Sequence, residues 1–349
     1  MNVEFRIFRQ QAPDAQPSIQ TYAIDIGPKS TILDAITRIK WEQDGTLAFR
    51  KNCRNTICGS CAMRINDRAG LACQQHIDEA LQGRDHIAIG PMGNLPVVKD
   101  LIVDMRNFWV DLKRVDPYIS SASRVIPERE FIQTPEERAK LDRMGNCIMC
   151  GACYSDCNAK EVNPGFVGPH ALAKANRMRL DNRDDRTADR VQELNSLDGV
   201  WGCTRCHNCN DVCPMEVAPL DQITAVKQAA LHQASATVTG SSRAVRHRRA
   251  MVSLVKSGGW VDERKFGVEV VGNYFRDLQG LLSLAPLGLR MIARGKFPLA
   301  FEESEGTTEI RQTINAAIAA AEFDTGEIDT GELDAISSNA TTSNPEESN

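Results

Sequence analysis

Hydrophobic positions alternate with polar ones near the start of the chain, at Val3, Phe5 and Ile7 and again at Tyr22, Ile24 and Ile26. A period of two marks half-buried strands. Gly27-Pro28 turns the chain, and Thr31 with Asp34 three residues on reads as an N-cap. It opens a helix whose Ile32, Ile36 and Ile39 share one face. Further strands are predicted at Ala62–Ile65 and His86–Ile89. Past residue 100 the period lengthens: Leu101, Met105, Phe108 and Leu112 predict a connecting helix whose apolar stripe is core. Thr134-Pro135-Glu136-Glu137 combines an N-cap, a proline at the first helical position and a capping-box Glu. The helix it starts should deliver the chain to Cys147. Other helices are predicted after Pro169 and over Thr187–Leu197.

From about residue 232 the character changes. Ser235 to Ser242 reads as a linker, followed by the basic cluster Arg243, Arg246, His247, Arg248 and Arg249 and a further helical stretch. That stretch leads to Gly258-Gly259-Trp260-Val261-Asp262-Glu263. From Phe323 the sequence is polar and acidic, too poor in apolar residues to order itself. The pattern therefore predicts an α+β chain: a small sheet domain over 1–105, a helical domain over 106–232, a helical extension over 233–322 and a disordered acidic tail over 323–349.

All twelve cysteines fall into three quartets. Cys53-x4-Cys58-x2-Cys61 with the later Cys73 has plant-type ferredoxin spacing, which holds a 2Fe–2S cluster. Cys147-x2-Cys150-x2-Cys153-x3-Cys157 and Cys203-x2-Cys206-x2-Cys209-x3-Cys213-Pro214 have the bacterial ferredoxin spacing of paired cubane clusters. Strand, strand, helix, cysteine loop and further strands is the order of a β-grasp ferredoxin domain. The helical part then resembles a bacterial ferredoxin with two cubane sites.

Disulfides would need an oxidising compartment, and the N-terminus offers strand alternation rather than an apolar signal core. Zinc sites favour two separated pairs of ligands; three cysteines at x2 intervals in one loop suit the face of a cubane better than one ion. The net charge of −5 conceals an asymmetry: from residue 301 onward twelve acidic residues face only Arg311, leaving residues 1–300 at +6. The basic excess reads as compensation for anionic clusters, not as a nucleic-acid surface, since no aromatic-interleaved basic stripe is present. No stretch reaches the eighteen apolar residues needed to span a bilayer.

In paired bacterial ferredoxin sites the fourth cysteine ligates the other cluster. Carried over, Cys147, Cys150, Cys153 and Cys213 would hold one 4Fe–4S cluster, and Cys203, Cys206, Cys209 and Cys157 the other. Pro214 suits the first position of a helix whose positive end would face a cluster. Gly59 would let backbone amides approach the 2Fe–2S sulfurs.

One plant-type quartet followed by two bacterial-type runs resembles the iron–sulfur subunit of the succinate dehydrogenase and fumarate reductase family. Cys53-Arg54-Asn55-Thr56-Ile57-Cys58-Gly59-Ser60-Cys61 and Val98-Lys99-Asp100-Leu101-Ile102-Val103-Asp104-Met105 support it. The resemblance runs to about residue 230. It implies single-electron transfer from an FAD flavoprotein through 2Fe–2S and two cubane-type clusters to a quinone or a membrane-associated acceptor. It also implies a cytoplasmic protein, peripheral on the cytoplasmic face of a membrane, with no substrate site or catalytic acid–base group of its own.

Departures from the family pattern are informative. Where standard members have an apolar residue and a 3Fe–4S cluster, this chain has Cys206, which predicts a 4Fe–4S cluster. Where they have a proline and tryptophans after the cysteine matching Cys157, it has Asn158, Ala159, Lys160, Glu161 and Val162. These features, and the Gly-Trp-x-Asp-Glu phrase, resemble the cyanobacterial and archaeal-type branch, whose acceptor is a cysteine-rich subunit. A thiol-linked fumarate reductase or another flavin-linked dehydrogenase is the alternative; a zinc-stabilised binding module is the alternative of a different class. His207 is read as a hydrogen-bonding neighbour of the last cluster. Leu281, Leu282, Leu284, Leu287 and Leu289, followed by Arg290, Arg294 and Lys296, read either as an interfacial anchor or as a helix buried against the second domain or a partner.

Overall fold

Strands β1 (Asn2–Arg9) and β2 (Ser18–Asp25) form where the alternation predicted them, antiparallel, with Phe5 opposite Tyr22. The structure, a computed structural model, describes residues 1–236, 243–297 and 300–325. Helix α1 (Ile32–Glu42) starts at the expected cap: Thr31 Oγ1 accepts from the Asp34 N–H at 3.1 Å, and Asp34 accepts from the Thr31 N–H at 3.0 Å. Strands β3 (Ala62–Ile65), β4 (Arg68–Leu71) and β5 (His86–Gly90) complete a sheet ordered β2-β1-β5-β3-β4, with β1 and β5 parallel. β4 is too short and glycine-containing to alternate visibly. It forms because Asn66 and Asp67 both take left-handed backbone, making a two-residue hairpin turn after β3. Phe5, Ile7, Ile32, Ile36, Ile39 and Ile87 fill the core under the sheet.

A short helix α2 (Ile77–Leu81) precedes β5. A two-stranded ribbon, β6 (Val97–Lys99) and β7 (Ile102–Val103), then leads to α3 (Arg106–Lys113). This corrects the predicted connecting helix, since Leu101 lies in the ribbon and Met105 just before the first helical turn. The cause is Asp100, fully buried and left-handed, which accepts from the Gln10 and Ala48 amides at 2.9 Å and from Arg9 Nε at 3.1 Å. That carboxylate fixes the end of the sheet domain to the chain leaving it.

The helical part continues through α4 (Pro135–Ala139), α5 (Asp142–Gly145), α6 (Ala152–Ser155) and α7 (Asn158–Val162). It ends with α8 (Pro169–Leu180), α9 (Thr187–Leu194), α10 (Asn208–Asp211) and α11 (Pro219–Ala236). Thr134 caps α4 as predicted, but that helix is a single turn and α5 carries the chain on to Cys147. Phe166, Leu172, Val200, Ile223 and Val226 form this part's core. Buried Arg190 pairs with Asp184 at 2.8 Å and donates to the Val115, Asp116 and Tyr118 carbonyls, clamping the connecting segment onto α9.

Contacts divide the chain into two units, within Met1–Gly240 and within Ser241–Asn349. The second contains α12 (Arg243–Gly258), α13 (Glu263–Phe266), a π-helical turn Gly267–Val271, α14 (Leu278–Ser283), α15 (Ala285–Ala293) and α16 (Thr307–Thr325). The Gly-Trp-x-Asp-Glu phrase is structural here: Trp260 Nε1 donates to the Glu302 carbonyl at 2.6 Å and Asp262 caps α13. α16 runs to Thr325, two residues past the expected start of the acidic tail; the rest of that tail, and residues 237–242 of the expected linker, lie outside the described residues.

Candidate cluster sites

The first cysteine quartet sits on the loop between α1 and β3, with Cys73 beyond β4. Arg54, Thr56 and Gly59 all have φ between 56° and 69°. Alternating left-handed residues turn successive backbone amides into one concavity, a nest for negative charge. Asn55 N and Cys58 N each donate to Cys53 Sγ at 3.3 Å, Cys53 N to Cys58 Sγ at 3.4 Å, and Thr56 N to Cys73 Sγ at 3.4 Å. Ser60 Oγ lies 3.1 Å from Cys58 Sγ, and this contact together with the Cys53 and Ser60 amides draws that thiol down to about 6. Buried Cys61 is pushed up to about 12 by desolvation.

The two later runs share one backbone design. Met149 and Gly151 flank Cys150 with φ of 56° and 84°; Arg205 and His207 flank Cys206 with 60° and 69°. Each loop then enters a single helical turn, α6 or α10. One cavity is lined by Cys147, Cys150, Cys153 and Cys213 and walled by Phe108 and His170. The other is lined by Cys157, Cys203, Cys206 and Cys209 and walled by Phe166 and Ile223. Each cavity thus gathers three thiols from one run and the fourth from the other. Among the described residues no three His, Cys, Asp or Glu side chains converge in the way a single metal ion needs; these thiols are spread around hollows.

Desolvation pushes Cys150 and Cys157 up to about 11, Cys209 to about 12 and Cys153 well above its ordinary value. Each cavity holds two of these desolvated thiols, and a set of four sulfurs around one hollow fits a thiolate-ligated cluster, whose iron replaces the protons.

One expectation changes. Pro214 starts no helix: Glu216 and Ala218 take left-handed backbone, so α11 waits until Pro219, and the Val217 N–H donates to Cys213 Sγ at 3.4 Å. The most buried arginines do not face the cysteine loops. Arg9 pairs with Asp44 and Asp100, and Arg190 with Asp184, while among the described residues the N–H donors to cysteine sulfur are backbone amides. His207, exposed on the rim of its cavity, contributes a left-handed turn where the first loop has a glycine.

Gly59 does more than admit amides. A Cβ there would stand 2.8 Å from Cys150 Cα, so the plant-type loop and the first cubane loop touch through that missing side chain. Ile148, Met149 and Cys150 also pack on the sheet domain's core.

Sequence reasoning missed the network beneath these loops. Lys160, in the segment where family tryptophans were absent, points inward. Its Nζ donates to Asp111 Oδ2 at 2.6 Å and to the Pro164 and Phe166 carbonyls at 2.7 Å. Tyr154 Oη donates to the same carboxylate at 3.2 Å. His170, stacked on Phe108 at 3.9 Å, bonds the Phe108 carbonyl, and burial lowers it to about 4. A lysine and an aspartate 49 residues apart leave no local signature; only the buried aspartate's place on the apolar stripe of α3 could have hinted at it.

Comparison with known proteins agrees with this geometry. Residues 4–110 match the 2Fe-2S iron-sulfur cluster binding domain and residues 143–217 the 4Fe-4S dicluster domain. The fumarate reductase iron-sulfur subunit of Haemophilus influenzae is 36% identical over 234 residues, 64% of this chain and 90% of that protein. The mitochondrial succinate dehydrogenase [ubiquinone] iron-sulfur subunit 1 of Oryza sativa is 38% identical over 231 residues, 64% of this chain and 80% of that one. A chain of the Mycobacterium smegmatis Sdh1 complex in the apo form shares the fold, with a TM-score of 0.60 and 22% identity over 66% of this chain and 96% of that one. Spacing, fold and relatives converge: the chain belongs to the iron–sulfur subunits of the succinate dehydrogenase and fumarate reductase family.

Proposed function

We propose that this chain carries single electrons from an FAD flavoprotein that oxidises succinate, or in reverse reduces fumarate, to a membrane-associated or cysteine-rich acceptor subunit. The observation that carries the reading is the continuity of three thiol-lined sites in one unit, with Gly59 against Cys150 and the two later runs exchanging their fourth cysteines between cavities.

The ligand sets follow. Cys53, Cys58, Cys61 and Cys73 would hold the 2Fe–2S cluster; Cys147, Cys150, Cys153 and Cys213 a 4Fe–4S cluster; Cys157, Cys203, Cys206 and Cys209 the third, a 4Fe–4S cluster. Bound clusters supply one-electron redox chemistry at potentials set by charge, hydrogen bonds and solvent exposure. The chain's part is to hold the thiolates, aim amides at them and exclude water. Exposed Arg54, Asn55 and Ile57 would let the first loop approach a flavoprotein closely. Exposed Thr204, Arg205, Cys206 and His207 would do so toward an acceptor.

Lys160 favours a protein acceptor over a quinone bound here, because its side chain is committed to Asp111 and the neighbouring cleft lined by Asn158 and Glu161 is polar and has no aromatic wall for a quinone ring. The experiment is succinate-driven reduction of the assembled complex, followed by electron paramagnetic resonance. Cys58→Ser is expected to stop reduction of all the clusters; normal reduction of the cubanes in that variant would place electron entry elsewhere.

A further inference from the structure

In the second unit, the π-helical turn Gly267–Val271 grips α14 through two glycines. A Cβ on Gly272 would lie 2.6 Å from Leu281 Cδ2, and one on Gly280 2.6 Å from the Val271 carbonyl oxygen. Leu281 is thereby committed inward, and an apolar row is left outside. Leu278 and Leu282, four apart on α14, are 65% and 72% exposed; Leu289 and Ile292, three apart on α15, are 67% and 60% exposed.

The turn before α14 adds to this row. Asn273, Tyr274 and Phe275 are three consecutive left-handed residues, a costly backbone for aromatic side chains, and it leaves both rings about two-thirds exposed. Backbone bonds hold this turn, Tyr274 N–H donating to the Val268 carbonyl at 3.1 Å and Asp277 N–H to the Gly272 carbonyl at 3.0 Å, and Glu269 lies beside the Tyr274 hydroxyl, while the faces of both rings stay outside.

Charge indicates what covers them. From Leu278 to Phe301 the charged residues are Arg290, Arg294 and Lys296, all exposed, with no acid among them. Asp277, just before, directs its carboxylate to the Gly280 N–H at 2.7 Å. Among the described residues no helix is long and apolar enough to cross a membrane. Short apolar helices rimmed by cations of one sign suit the boundary between headgroups and acyl chains.

We propose that the Tyr274–Phe297 segment binds directly to a bilayer surface bearing anionic phospholipid, with the rings and leucines at the acyl boundary and the three cations on phosphates. This stands apart from the cluster assignments.

The test is flotation of the full-length, cluster-loaded protein with phosphatidylcholine vesicles, with and without phosphatidylglycerol. Wild type should float with the anionic vesicles and only weakly with the neutral ones. Leu282→Glu with Ile292→Glu should lower affinity about tenfold or more with unchanged visible and circular dichroism spectra. Arg290→Gln with Arg294→Gln should lower it roughly fivefold per charge. Absence of wild-type flotation, or flotation undiminished by the Glu pair, overturns the proposal. If wild type stays unbound while the Glu pair weakens co-purification of a protein subunit, the surface is a protein interface and the proposal likewise falls.

Discussion

The two cubane-type loops have the same spacing, left-handed residues at the same positions around their second cysteine and a single helical turn that carries their third, yet they face different surroundings. The loop of Cys150 lies against Gly59 and the sheet domain's core, whereas the loop of Cys206 presents Thr204 to His207 to solvent. Cys spacing therefore sets how a loop wraps its cavity, and neighbouring residues set whether that cavity is an inner station or an outer one. The third run's fourth cysteine makes the same point. Cys213 is followed by a left-handed turn and only then by α11, while Cys157 leads straight into α7 and the Lys160–Asp111 pair.

The largest effect should come from breaking what supports the inner side. Lys160→Met leaves the buried Asp111 carboxylate with only the half-exposed Arg114, at 3.1 Å, as its cation and should destabilise the protein by about 3–4 kcal/mol. The double change with Asp111→Leu should restore most of that, measured by thermal melting of cluster-loaded protein. Recovery of nothing in the double variant would mean that the lysine acts through its carbonyl contacts and not through the ion pair.

Gly59→Ala combines left-handed strain with a clash against Cys150 backbone and should cost about 2–4 kcal/mol. Gly83→Ala shares the backbone sign, at φ 70°, but its Cβ would meet nothing within 4 Å, so about 1–2 kcal/mol is expected. Equal losses in the two variants would show that the contact between the first and second loops contributes nothing.

The smallest expected difference compares the loops at matched positions. Gly151→Ala should cost about 1–2 kcal/mol, because φ is 84° and Met105 Cε would lie 3.2 Å away. His207→Gly should change stability by no more than about 1 kcal/mol, since relief of left-handed strain offsets glycine's chain entropy. A large loss on His207→Gly would reveal that its ring supports the third site.

Much of this was legible from the chain. Alternation at Val3, Phe5 and Ile7 and the Thr31–Asp34 box located β1 and α1 because local sequence decides them. β4 was missed because its signal lay in the Asn66-Asp67 turn, not in a four-residue strand. The connecting helix was overextended because buried Asp100 overrides apolar spacing through contacts with Gln10 and Ala48. The twelve cysteines could be grouped from spacing alone, whereas the Arg54 and Thr56 conformations and the Lys160 network depend on tertiary packing.

The central claim is that the outward loop differs from its twin in exposure and not in ligand number, so that Cys206 completes a four-thiolate site. Electron paramagnetic resonance of anaerobically purified, oxidised wild type and Cys206→Val tests it most directly. The account predicts a silent third cluster in wild type and a 3Fe–4S signal in the variant, because removing one thiolate frees one iron. A 3Fe–4S signal at full occupancy in wild type, unaltered by Cys206→Val, would contradict it.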